Sequence, residues 1–140
     1  MESQSWLRTG RGFPDDGIRL IAEYRPGTGT SHLHLRAISP VITAALGCRE
    51  VFPGSLNLWA PEPVGFPAPA RVSCAGAEWL FVPVAIQESA VGIAARRPPP
   101  MEGELIEVFA CQQLAPMLRL AHGSRVEIRL MPGAHLEFVV

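Results

Sequence analysis

The sequence predicts a mainly β domain, a compact barrel with one or two short helices, and three features predict it. Apolar and polar residues alternate over about eight short runs, as they do in half-buried strands. Thirteen glycines and fourteen prolines punctuate the chain between those runs. The clearest helix signal is short and ends at Gly47. Strands this short, with turn residues between them, favour a closed barrel over a sandwich.

Residues 1–17 carry Gly10, Gly12, Pro14 and Gly17 without periodicity and read as a flexible leader, leaving 18–140 as a single domain. Residues 18–24 alternate, and so do 31–38, where Leu33, Leu35 and Ala37 oppose His32, His34 and Arg36; both read as strands. Ser39 can cap a helix, Pro40 suits its first turn, residues 41–46 are largely apolar, and Gly47 can end it. A tight turn at 52–55 runs into a strand reaching Trp59, and a proline-rich connector follows at 61–69. Further strands are predicted at 71–74, 79–86, 92–95 and 105–110, with an exposed loop at 96–100 and a short turn or helix at 112–118. Residues 125–131, the turn Pro132-Gly133 and residues 135–140 read as a closing hairpin.

At 140 residues, 48% hydrophobic and 18% charged, the chain can bury a core of its own. Twelve basic residues against thirteen acidic ones give no broad positive field, which argues against nucleic acid or an anionic membrane surface as a partner. All twelve are arginine. The absence of lysine excludes a P-loop lysine and Schiff-base chemistry, so phosphate contacts must use arginine, backbone N–H groups or a metal. Cys48, Cys74 and Cys111 are widely spaced, odd in number and in apolar contexts, and read as buried thiols. No apolar stretch approaches a membrane span and residues 1–12 lack the apolar region of a signal peptide, so a cytoplasmic location is expected.

Four features can carry chemistry. Gly27, Thr28, Gly29 and Thr30 join two predicted strands; they are either a hairpin turn or a set of N–H groups converging on a phosphate. Ser55 and Asn57, two apart on a strand, point to one face and offer hard oxygens suited to magnesium, or else cap a turn. Glu107 lies opposite Ile106 and Val108 in the run 105–109, as an outward edge residue or as an acceptor for a substrate hydroxyl. His32 and His34 share a face of their predicted strand and can chelate a metal or simply meet solvent.

Taken in order, Gly27-Thr28-Gly29, Leu46-Gly47, Pro53-Gly54-Ser55-Leu56-Asn57-Leu58, Ile106-Glu107-Val108 and the closing segment 118–128 resemble the CTP-dependent riboflavin kinases of archaea over about residues 18–131. The resemblance implies a cradle-loop (RIFT-related) six-stranded-type barrel that transfers a phosphoryl group from CTP to the 5′-hydroxyl of riboflavin, giving FMN and CDP. It implies magnesium on Ser55 and Asn57, phosphates cradled by residues 26–30, Glu107 at the ribityl hydroxyls, and Gln112, Gln113, Leu114 and Ala115 near the cytidine. Arg25, residues 98–100 and Ala115 depart from the family pattern, with Arg25, Arg96 and Arg97 as substitute phosphate contacts. Those departures motivate a second expectation, a nucleotide- or flavin-binding regulatory module of the same fold. A third is an interaction domain that uses its proline segments as partner sites.

Overall fold

The structure, a computed structural model, describes residues 7, 16–27, 32–134 and 136, with the backbone alone for 32–34. Its elements run β1 (Ile18–Tyr24), α1 (His32–Leu46), β2 (Leu56–Gly65), β3 (Ala70–Cys74), β4 (Ala77–Ile86), β5 (Ala90–Arg96), β6 (Glu102–Phe109), α2 (Leu114–Met117) and β7 (Arg125–Leu130). Six strands close into an antiparallel barrel, β1–β2–β6–β5–β4–β7 and back to β1, and β3 adds a seventh strand on the free edge of β4. The expected mainly β barrel with two short helices is what the chain forms. Among the described residues, no helix is long and apolar enough to cross a membrane.

The apolar run in β4 explains the layering. A strand with one wet face alternates, whereas β4 is buried at every position from Trp79 to Ile86, which requires cover on both faces. Leu80, Val82, Val84 and Ile86 point into the barrel, where they meet Leu56, Leu58, Ile106, Val108, Val126, Ile128 and Leu130. Trp79 and Phe81 point outward into a second core under α1, against Ile38, Ile42, Ala45 and Leu46. Pro83 is tolerated inside this strand for a topological reason. Its carbonyl accepts the Met131 N–H at 2.9 Å, so its missing donor faces the edge where pairing changes from β3, last at Phe81, to β7, first at Val84.

Four expectations are corrected. The alternation in 31–38 predicts a strand, but α1 begins at His32, because Leu35, Ile38, Ile42, Ala45 and Leu46 form a stripe of helical period that covers the outer core. Pro40 consequently lies inside the helix rather than in its first turn. It removes one N–H, and the Thr43 hydroxyl donates to the carbonyls of Ser39 (3.0 Å) and Pro40 (3.1 Å) beside it. The proline-rich stretch 61–69 is not all connector: β2 continues to Gly65, and its pairing with β6 shifts between Trp59 and Val64, an irregularity that accommodates Pro61 and Pro63. Residues 125–131 close the barrel against β1 and β4 instead of forming a hairpin with the terminus; of 135–140, all but Leu136 lie outside the described residues.

The fourth correction concerns the cysteines. Cys74 is a buried thiol, as expected, and burial pushes its pKa up. Cys48 and Cys111 instead form a disulfide, with Cα atoms 6.0 Å apart, joining the residues after α1 to those after β6. Their separation of 63 positions hides the pairing from local pattern, and closing so long a loop restricts the unfolded chain by about 4 kcal/mol in the loop-entropy account. Of the expected leader, Leu7 is buried in the outer core with Ile42 and Phe109; apart from Asp16 and Gly17 the remainder lies outside the described residues.

The β4–β5 hairpin yields a prediction with two signs. Gln87 and Glu88 both have left-handed backbones, φ 52° and 51°, as a type I′ turn demands, yet neither is glycine or asparagine. Glu88 is retained there because its carboxylate reaches the buried Arg129 at 2.9 Å, with Arg19 at 3.8 Å. Gln87→Gly, which only relieves the turn, is expected to raise the melting temperature by a few degrees, since left-handed residues cost about 1 kcal/mol. Glu88→Gly relieves the same strain but removes a charge from a buried guanidinium, at about 2 kcal/mol or more, and is expected to lower it. Thermal unfolding of the two variants side by side checks both signs.

Candidate functional site

The site is built on β2. The turn before it is held by the Gly54 N–H to the Phe52 carbonyl and the Phe52 N–H to the Ala110 carbonyl, both 2.8 Å. From there period-two geometry decides the rest: Leu56 and Leu58 are buried in the barrel, so Ser55, Asn57 and Trp59 face outward. The Ser55 hydroxyl donates to Asn57 Oδ1 at 2.8 Å. Asn57 stands directly opposite Glu107 in the β2–β6 ladder, and Glu107 opposite Ala95 in the β5–β6 ladder, so one row crosses three strands on the outer face.

The segment after β1 returns to this row. The Arg25 N–H extends the ladder to the Asn57 carbonyl at 3.2 Å, and Gly27 then packs against the Asn57 carboxamide, where a Cβ would collide with Nδ2. The glycine at 27 is therefore matched to its neighbour across the site, while its own backbone is not left-handed. The obstructing atom ends a flexible side chain, so Gly27→Ala is expected to fold with little change in melting temperature while displacing the carboxamide. Displacing it should break the hydrogen bond from the Ser55 hydroxyl to Asn57 Oδ1, which a crystal structure of the variant would show.

Two cavities flank the row. On one side a cleft of about 380 Å³ is lined by Trp59, Trp79, Leu105, Glu107, Arg97 and Pro100 among others, within the range of small-molecule pockets. On the other a pocket of about 70 Å³ is lined by Tyr24, Phe52, Ser55 and all four of Gln112, Gln113, Leu114 and Ala115. Ser55 and Asn57 thus lie between a larger cleft carrying a carboxylate and a smaller pocket carrying the residues expected near a nucleotide base. Among the described residues, none that lines the smaller pocket is basic.

The arginines divide by role. Arg96 is not available to phosphate, contrary to its expected use as a substitute contact. Its guanidinium donates to the carbonyls of Val64 (2.7 Å), Met101 (3.1 Å), Gly103 (3.3 Å) and Leu105 (3.2 Å) and lies 4.2 Å from the Phe66 ring centroid. It pins the 97–101 loop, whose Arg97 and Pro100 line the larger cleft, to the start of β6. Burial draws its pKa down, opposed by the nearby Glu102, and it stays charged. Arg25 is exposed beside Asn57, 5.1 Å from the Trp59 ring centroid, and bonds Glu23 at 2.7 Å. That hydrogen bond and the arginine's charge hold the Glu23 carboxyl below its usual range. Arg97 is exposed at the cleft.

Of the residues singled out in the sequence, Gly27, Ser55, Asn57 and Glu107 come together, Gln112, Gln113, Leu114 and Ala115 adjoin them, and Pro26 leads into Gly27 in the exposed loop. Thr28, Gly29 and Thr30 lie outside the described residues. His32 and His34 begin α1 rather than lying on the expected strand, and their side chains lie outside the described residues. Sequence reasoning missed Trp59, although its position two residues past Asn57 on a strand placed it on the same face. It also missed Tyr24 and Phe52, for which no local pattern gives a signal.

Among the described residues no three His, Cys, Asp or Glu side chains gather as a metal cage. The Ser55–Asn57 pair offers two hard oxygens 2.8 Å apart. That spacing is the ordinary length of their hydrogen bond, and it is compatible with adjacent positions of an octahedral magnesium shell, which are about 2.9 Å apart. No protein-family model matches this chain, and no curated protein sequence is significantly similar to it.

Proposed function

We propose that this barrel is a riboflavin kinase-like phosphotransferase, taking a phosphoryl group from CTP to the 5′-hydroxyl of riboflavin to give FMN and CDP, in the cytoplasm. The observation that carries the proposal is the gathering of the Gly27 backbone, the Ser55–Asn57 oxygens and the Glu107 carboxylate in one row between two cavities. Phosphoryl transfer asks mainly for positioning and charge neutralisation, which a site without lysine can provide. Ser55 and Asn57 would hold magnesium, whose contribution is to neutralise charge on the transferring phosphates. The acceptor occupies the larger cleft, where Glu107 orients its primary alcohol and accepts the proton released as the oxygen attacks phosphorus. The nucleotide base lies against residues 112–115, and Arg25 offers its guanidinium at the rim by Asn57.

Isothermal titration with riboflavin, CTP and magnesium, followed by chromatography for FMN, tests this directly. Binding of both ligands and formation of FMN support it; no heat with any combination overturns it. A second reading, a barrel that binds nucleotide or flavin without transfer, is favoured by the pocket around Ser55 and Ala115 lacking a basic side chain. That reading requires ligand heat without FMN.

A further inference from the structure

We propose that Cys48 and Cys111 are a reversible thiol-modification site, and that reducing their disulfide loosens residues 110–115 and weakens the pocket beside Ser55. The consequence for nucleotide rests on the function proposed above; the loosening does not.

Three observations carry the inference. First, the bond is reachable. Cys111 is exposed and Cys48 half-buried, and both line a cavity of about 290 Å³ together with Leu46, Val91, Leu114 and Met117, ample room for a small dithiol. Cys74 forms the contrast, a thiol 7% exposed with a raised pKa, shielded from the same chemistry. Second, the bond is a covalent tie between the end of α1 and the segment leaving β6, which otherwise meet through the side chains of the outer core. Third, Cys111 immediately precedes Gln112, Gln113, Leu114 and Ala115, which line the pocket shared with Ser55. With the bridge cut, this segment keeps the hydrogen bond from the Phe52 N–H to the Ala110 carbonyl and the buried Leu114 side chain, but loses its covalent tie to α1.

The step is thiol–disulfide exchange with a dithiol as reductant. A thiolate of the dithiol attacks the more exposed Cys111 sulfur, the sulfur–sulfur bond breaks, and Cys48 leaves as a thiolate and takes a proton. The second thiol of the reagent then attacks its own mixed disulfide, releasing Cys111 as a thiolate that is protonated in turn. The reagent becomes a cyclic disulfide and the protein gains two hydrogens. Exposed disulfides are the ones that such exchange opens readily, which distinguishes this pair from a bridge sealed in a core.

The test uses the full chain, oxidised and then treated with dithiothreitol, read by hydrogen exchange of the amides of 110–118 and, separately, by titration with magnesium and CTP. Reduction is expected to add two alkylatable thiols, at 48 and 111, to speed exchange in 110–118 by tenfold or more relative to β6, and to weaken CTP binding several-fold. Reoxidation with glutathione disulfide should restore all three. Cys48→Ser with Cys111→Ser should behave like the reduced protein and ignore dithiothreitol; if that variant does not fold, reduction of the native chain still decides. Unchanged exchange in 110–118 after complete reduction, or failure of the two thiols to pair under oxidation, overturns the inference. Faster exchange without CTP binding in either state upholds the loosening and tells against the nucleotide function.

Discussion

Under the proposed phosphoryl transfer, Asn57→Ala is expected to lower FMN formation by about a hundredfold or more while moving the melting temperature by no more than a few degrees. Asn57 is half-buried on the outer face of the barrel, so truncation opens no cavity in either core. What it removes is specific: the oxygen paired with the Ser55 hydroxyl, the amide against Gly27, and the side chain opposite Glu107. Losing a group that neutralises or positions a transferring phosphate costs about 3 kcal/mol of transition-state stabilisation, which sets the hundredfold figure. Asn57→Asp keeps an oxygen at that position but places a second carboxylate opposite Glu107. It is expected to retain more activity than alanine when magnesium is saturating and less when magnesium is scarce. Steady-state assays of both variants across a magnesium series check this.

Phe81→Ala is expected to destabilise the fold by about 3–5 kcal/mol, a drop of more than about 10 °C for a domain of this size. Phe81 is fully buried in the outer core, between the sheet and α1. Its removal leaves a cavity in a layer where neighbours on both sides are fixed, by the ladders of β3 and β5 on one side and by the helix on the other. Ile21→Ala provides the contrast: Ile21 is exposed on β1, and its truncation should change stability by less than about 0.5 kcal/mol. Denaturant unfolding of the two variants tests whether the outer layer contributes as a true core or merely as cover.

The strands were legible where one face is wet or where the apolar run is unbroken. Residues 18–24, 71–74, 79–86 and 125–131 lie close to the bounds of β1, β3, β4 and β7. The reading failed where two periods compete. In 32–46 the first seven residues fit an alternation of two as well as a helical stripe, and only the partner surface of β4 and β5 selects the helix. Pro40 reinforced the error, since a proline argues for a helix start and here sits in an interior held by burial of Ile38 and Ile42.

The site was partly legible for the same kind of reason. Ser55 and Asn57 lie within one strand, so spacing alone placed them together. Their meeting with Glu107 depends on antiparallel register over fifty positions of sequence separation, which no local pattern encodes. The Cys48–Cys111 bond, 63 positions apart, shares that property, and so does the reach of Arg96 to the Val64 carbonyl, whereas its other three carbonyls lie close by in the chain. The residues themselves look ordinary in the sequence.

In the proposed function, Ser55 and Asn57 hold a divalent cation between the pocket that takes the nucleotide and the cleft that takes the acceptor. A crystal structure grown with CTP and manganese as an anomalous reporter measures this most directly. The account predicts one anomalous peak within about 2.3 Å of both Ser55 Oγ and Asn57 Oδ1, with the triphosphate beside Gly27 and the base against residues 112–115. A manganese peak or a nucleotide on any other face of the barrel would contradict it.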